Sequence, residues 1–261
     1  MSEEKQGSLY LIPSPLNSPE EEADIAAIFP QENIAVITRI DHFIVENEKS
    51  ARKFIGDVYR FSASQKRVYA LDFYLLNTHT LDTEIPELLA PLLAGHDMGI
   101  ISEAGCPGVA DPGAAVVRAA HEKGIRVIPL VGPSAILLAI MASGLSGQSF
   151  AFDGYLPKDR EGRRKRLQDL EQLSRRTGQT QVFMETPYRN QHLVEDMIDI
   201  LSDETLLCIA SDITLPTEQI ETMRISQWKG HTPRLDGRPS VFLLSASKVC
   251  KNKSTFSCKK K

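Results

Sequence analysis

Ser102-Glu103-Ala104-Gly105-Cys106-Pro107-Gly108-Val109-Ala110-Asp111-Pro112-Gly113 follows directly on the apolar run Met98–Ile101 and opens a helical pattern reaching about Lys123. A buried strand, a glycine- and proline-rich loop, then a helix is the layout of an α/β layer. Glycines just past a strand let backbone approach a ligand closely, because no Cβ intervenes. The helix that follows offers unpaired N–H groups, and open α/β sheets bind ligands beyond the carboxyl ends of their strands. A long turn with Asp111 as a helix cap accounts for the same residues, so this loop alone leaves both readings open. The pattern repeats at once: Ile125–Leu130 reads as a strand, Val131-Gly132-Pro133-Ser134 as a tight loop and Ala135–Ala142 as a helix. With Pro13-Ser14-Pro15 after the run Leu9–Ile12, three strand ends are expected to gather at one sheet edge, which is a ligand site by geometry.

Outward from this centre, Ile34–Ile37 reads as a strand, Asn47–Val58 as a helix and Leu81–Leu93 as a helix despite its prolines. Ser18-Pro19-Glu20-Glu21-Glu22 has the cap, first-turn proline and acids of a helix start. Gly and Ser collect at 143–149, which puts a boundary between an N-terminal α/β domain, 1–146, and a C-terminal α/β domain, 147–246. In the latter, Phe150–Tyr155, Gln181–Met184 and Leu206–Ala210 read as strands, and Glu161–Arg175 and Arg189–Leu201 as helices. Glu218–Ile225 and Val241–Leu244 alternate as strands paired with each other would. The sheet is expected to be largely parallel. Residues 247–261 carry six lysines and no acid, the composition of a disordered basic tail.

Composition removes several classes of function. A formal charge of −4 leaves no global basic field, so a nucleic-acid surface would have to be local. No two glycines are spaced G-x-G and no G-x-x-x-x-G-K-[ST] run occurs, which argues against dinucleotide and NTP sites. Cys106, Cys208, Cys250 and Cys258 form no C-x-x-C pair and no histidines sit at metal-ligand spacing, so neither zinc nor another metal is expected. Reduced thiols and a cytoplasmic location are expected. Glu3 and Glu4 stand where a secretory leader carries its basic start, and the most apolar segment, Val127–Met141, is too interrupted to span a bilayer. Lys158, Arg160, Arg163, Arg164, Lys165 and Arg166 form the densest basic patch before the tail. It reads either as a solvated helix face balanced by nearby acids or as a contact for RNA phosphates.

In order, Gly7–Pro15, Ser102–Gly113, Val131-Gly132-Pro133-Ser134-Ala135 with Ala142-Ser143-Gly144-Leu145, Phe152-Asp153-Gly154-Tyr155-Leu156-Pro157 and Glu185-Thr186-Pro187-Tyr188-Arg189 resemble the tetrapyrrole methylase superfamily. The likeness runs from about Gly7 to Leu244 and is strongest to the branch that methylates ribose 2′-hydroxyls of small-subunit ribosomal RNA. It implies a two-domain tetrapyrrole-methylase-like fold, distinct from Rossmann methyltransferases, commonly a homodimer, with S-adenosylmethionine in the interdomain cleft. Cofactor contacts carried over by position are Pro13, Gly105, Cys106, Pro107, Val109, Ser134 and Ala135. Candidates for assisting proton loss, again by position, are Glu46, Lys49 and Glu185; those for substrate contact are Arg163, Arg164, Arg166 and Arg189. The first domain departs from the branch at Pro15-Leu16-Asn17-Ser18, Glu46-Asn47-Glu48-Lys49 and Ser102-Glu103, and the second at Ser211-Asp212. The expected function is therefore S-adenosylmethionine-dependent methylation, with RNA of the ribosomal small subunit as acceptor and partner. A small acceptor such as a tetrapyrrole is the alternative, and a non-catalytic S-adenosylmethionine-binding module a third.

Overall fold

A computed structural model describes residues 6–16, 24–76, 80–81, 83–235 and 237–246. The helix start read at Ser18–Glu22 and the tail 247–261 lie outside the described residues. Contacts divide the chain into two units, Met1–Ala135 and Ile136–Lys261, each built on its own sheet, so the α/β class read from the sequence holds. Helix-to-sheet alternation is visible throughout.

In the first unit the order is β1 (Ser8–Ile12), α1 (Ile25–Ile28), α2 (Gln31–Arg39), β2 (His42–Val45), α3 (Glu48–Phe61), β3 (Asp72–Leu75), α4 (Ile85–Leu88), α5 (Ala90–Leu93), β4 (Met98–Ile101), α6 (Gly113–Glu122) and β5 (Arg126–Pro129). The strands lie in the order β3-β2-β4-β1-β5, every pair parallel. Successive strand residues face opposite sides, and two cores result. Ile12, Phe43 and Ile101 pack with Ile37, Ile55 and Val58 of α2 and α3 on one side. Leu9, Ile44 and Ile100 pack with Leu89, Leu92 and Val116 on the other. The central strand β4 is buried along its whole length, which is why it reads as an unbroken apolar run.

Two expectations are corrected here. Ile34–Ile37 belongs to α2, not to a strand: Val36, Ile37 and Ile40 fall on one helical face against the core, and a four-residue apolar run cannot tell helix from buried strand. Leu81–Leu93 is two short helices, each with a proline in its first turn, where the missing N–H costs nothing. The strands β2 and β3 were not assigned from the sequence.

The second unit contains most of α7 (Ala135–Ser143), then β6 (Phe150–Tyr155), α8 (Arg160–Thr177), β7 (Thr180–Met184), α9 (Asn190–Ile200), β8 (Leu206–Ser211), β9 (Gln219–Arg224), α10 (Ile225–Trp228) and β10 (Ser240–Ser245). Its sheet runs β6-β7-β10-β8-β9, and only β6–β7 is parallel. The expectation of a largely parallel sheet thus holds for the first unit and fails for the second. β9 and β10 are not partners either, since β8 lies between them and pairs antiparallel with both. Leu167 and Leu170 of α8, Leu193 and Met197 of α9, and Trp228 cover Phe183, Leu207 and Phe242 of the sheet.

Candidate active site

At the carboxyl ends of β1, β4 and β5 the three loops of the first unit are tied to one another. Ser14 and Gly105 form an antiparallel bridge, with Ser14 N–H donating to Gly105 O at 2.9 Å and Gly105 N–H to Ser14 O at 3.1 Å. Ser14 Oγ donates to Ser102 O, and Ser102 Oγ to Gly105 O, so both hydroxyls are used inside the loop pair. Gly105 sits at φ +75°, where a side chain is strained. The third loop joins through Cys106, whose thiol donates to Pro133 O at 3.4 Å. A Cβ on Gly132 would fall 2.3 Å from Cβ of Pro13, so only glycine lets these two strand ends close on each other. Asn33 of α2, fully buried, donates from Nδ2 to Val131 O at 2.6 Å and fixes the same loop from behind.

The cofactor residues read from the sequence are brought together accordingly: Pro13, Gly105, Cys106, Pro107 and Ser134 lie on these linked loops, Val109 is half exposed beside them, and Ala135 begins α7. Burial pushes the Cys106 thiol up, which disfavours its thiolate form. Ser14, Asn33, Ser102, Glu103 and Gly132 were not among the site residues read from the sequence. Their signal is a contact between distant segments, which local spacing does not carry.

Carboxylates crowd the same end. Glu46, just past β2, accepts from Glu103 N–H at 3.3 Å, and Glu103 accepts from Ser50 Oγ at 2.5 Å. Burial, reinforced by Asp111 and Glu103, raises the Glu46 carboxyl above its ordinary range against the pull of the Glu103 N–H. Burial likewise raises Asp111, although Gly113 N–H and Gly108 N–H both donate to its Oδ1. Lys49 is exposed on the first turn of α3, where Asn47 caps the helix.

In the second unit Glu185 follows β7 and is buried, accepting from Thr186 N–H and from Arg189 Nη2 across one turn. Asn190 next to it is buried and donates to Arg238 O. Among the described residues, Glu185 Oε2, Arg189 Nε and Asn190 Oδ1 are buried and have no partner, three such atoms within six residues. Tyr188, between them, is 88% exposed.

The basic patch of α8 has a different character from the one its composition suggests. Arg163 is buried and donates from Nε and Nη2 to Asp196 Oδ2 at 3.0 and 2.6 Å. Arg160 and Arg164 reach the other oxygen of Asp196, Arg164 also holds Asp199, and Arg166 holds Asp153. These arginines, expected at a substrate, tie α8 to α9 and β6, and Arg163 is 6% exposed. Burial alone would raise Asp196, but hydrogen bonds from Arg163, Arg160 and Arg164 outweigh it and hold the carboxyl below its ordinary range.

Comparison with known proteins bears on this geometry. A family model described as Tetrapyrrole (Corrin/Porphyrin) Methylases matches residues 30–228. The ribosomal RNA small subunit methyltransferase I of Vibrio cholerae is 30% identical over 219 residues, covering 84% of this chain and 69% of that protein. The protein of the same name from Escherichia coli O157:H7 is 31% identical over 219 residues, covering 84% and 70%. Among solved structures, that of the methyltransferase CobJ superposes with a TM-score of 0.56 at 17% identity, over 92% of this chain and 94% of the other, a likeness of fold.

Proposed function

This chain belongs to the tetrapyrrole (corrin/porphyrin) methylase family and is a methyltransferase, and from that premise we propose that it transfers a methyl group from S-adenosylmethionine to a ribose 2′-hydroxyl of small-subunit ribosomal RNA. The single observation that carries the reading is the linked loop set, Pro13–Ser14, Ser102–Pro107 and Val131–Ser134, facing the carboxylates Glu46, Glu103 and Asp111. Its fit to the cofactor rests on charge and shape. The donor is a sulfonium that also carries an ammonium, and the loops offer carbonyls and carboxylates in a cradle that Gly105 and Gly132 keep free of side chains. Pro13, Gly105, Cys106, Pro107, Val109, Ser134 and Ala135 would hold it. When bound it supplies an electrophilic methyl whose leaving group is a neutral thioether.

The residues of this chain do the rest. The loops fix the line of attack, which converts a bimolecular encounter into an oriented one. Glu46, made more basic by burial, accepts the proton of the acceptor hydroxyl as its oxygen bonds to the methyl carbon. Lys49, one turn along, contributes positive charge to the acceptor side, and within the second unit Glu185, paired with Arg189, is the further candidate for assisting proton loss. The two relatives named for ribosomal RNA support the acceptor. The same reading places the enzyme in the cytoplasm, acting on the small subunit as a homodimer; exposed Leu137 and Met141, one helical turn apart on α7, offer apolar surface for a second copy. No helix among the described residues is long and apolar enough to cross a membrane.

The test is incubation of the full chain with methyl-labelled S-adenosylmethionine and small subunits from cells lacking its gene. Label mapped to a ribose 2′-hydroxyl establishes the reading. Cofactor binding by calorimetry without label in RNA overturns the acceptor and leaves the tetrapyrrole-type small acceptor and the non-catalytic binding module, both of which the altered Pro15–Ser18 and Glu46–Lys49 segments favour.

A further inference from the structure

The surface where α3 ends and β3 begins takes no part in the chemistry above. From Arg52 to Ala70 the chain carries five cations (Arg52, Lys53, Arg60, Lys66, Arg67) against one acid (Asp57), in a protein of net charge −4. Two large aromatic side chains stand out among them, Phe61 at 54% exposed and Tyr69 at 73%. Arg67 lies 5.7 Å over the Tyr69 ring and donates to its hydroxyl, and no carboxylate pairs with it among the described residues. Lys53 and Arg60 both pair with Asp57, Arg52 pairs with Glu48, and Lys66 rests on the exposed Asp41.

These groups form one surface. Arg52 donates to Val68 O at 2.9 Å and lies 4.4 Å over the ring of Phe73. A Cβ on Gly56 would come within 3.9 Å of Val68 Cγ2, and Ser64 N–H bonds Tyr59 O. The segment after α3 thus folds back along the helix, setting Arg67 and Tyr69 beside it.

Placement decides what could use such a surface. The first turn of α3 adjoins the Glu46–Glu103 pair through Ser50, and its last turn carries Arg60 and Phe61. Fourteen residues at 1.5 Å each separate the two ends by about 21 Å. A small acceptor seated at the loops does not reach that far, whereas a polymer does. Cations tracking a phosphate backbone, with aromatic faces for the bases, are the chemistry of single-stranded nucleic-acid recognition.

We propose that Arg60, Phe61, Lys66, Arg67 and Tyr69 grip a single-stranded stretch of the RNA acceptor several nucleotides away from the methylated one. The proposal rests on the RNA reading of the site and adds to it a second, distant point of attachment. Fluorescence anisotropy of the full chain with a labelled single-stranded RNA of about 12 nucleotides tests it, with S-adenosylmethionine affinity by calorimetry reporting that each variant is folded. Tyr69→Ala is expected to weaken RNA binding about five- to hundredfold, the range for one aromatic–base stack, while Tyr69→Phe retains it. Arg67→Gln is expected to lower the slope of log affinity against log salt by about 0.7, one phosphate contact, and Arg126→Gln on the opposite edge strand to leave it unchanged. If the wild-type chain binds RNA and the Tyr69 and Arg67 variants bind it equally well, the patch is overturned and the RNA reading stands. If the wild-type chain does not bind RNA, the acceptor reading falls and the patch with it.

Discussion

Burial and two neighbouring carboxylates give Glu46 a proton affinity that an exposed glutamate lacks, and catalysis by such a group leaves a pH signature. Its ionised form is the base, so activity is full above its raised value and is lost as pH falls through it. The acid limb of kcat is therefore expected above the ordinary glutamate range, near 4.3. Glu103→Gln removes one repelling carboxylate but not burial, the larger cause, and should move that limb part of the way down. Glu46→Gln should lower kcat by about 10²- to 10⁴-fold with cofactor affinity nearly unchanged; an unchanged kcat would remove Glu46 from the chemistry. Gly132 makes a steric prediction at the same scale. Gly132→Ala forces a methyl into Pro13 and should destabilise the protein by about 1–3 kcal/mol, with weaker cofactor binding. Thermal unfolding and calorimetry check both, and Pro13→Gly in the same chain should restore part of the loss.

Between elements, the α8–α9 contact depends on one carboxylate. Asp196 is 2% exposed and answers three arginines, so Asp196→Asn leaves the buried Arg163 uncompensated and should cost about 3–5 kcal/mol in denaturant unfolding. The Asp196 value is depressed in the fold, so the stabilisation is complete above its unfolded value near 3.9 and is lost as pH falls through the lower folded one. The stability gap between wild type and Asp196→Asn should be flat from neutrality to about pH 5 and shrink below pH 4. This same contact shows where sequence stopped being legible. The density of arginine in 160–166 was plain, but the acid that answers Arg163 comes 33 residues further along, so sequence alone left a solvated face balanced by nearby acids and a contact for RNA phosphates both open. The helix α3 was legible because Asn47 caps it and its apolar face repeats at helical spacing. The α2 segment was not, because its apolar run is as short as a strand. The loops after β1, β4 and β5 were legible from glycine and proline, while the Ser14–Gly105 bridge that assembles them was beyond any local pattern.

At the scale of the molecule, ligand linkage is the measurable quantity. A cofactor that binds the folded loops and not the unfolded chain should stabilise the protein by about 2.7 kcal/mol at a hundred times its dissociation constant. Thermal scans with S-adenosylmethionine should show a midpoint that climbs with concentration, and Gly132→Ala should flatten that climb. The two sheets differ in how far apart their partners lie along the chain. In the second unit β8 and β9 are near neighbours in sequence, whereas β1 pairs Leu9 with Met98 and Ser8 with Arg126, separations of 89 and 118 residues. During translation at about 5–20 residues per second, the Leu9–Ile12 strand therefore emerges roughly 6–24 seconds before its last partner is made. The strand β1 thus waits for its last partner after it is made, and in that interval its apolar side chains are open to whatever chaperone meets nascent chains at the exit tunnel.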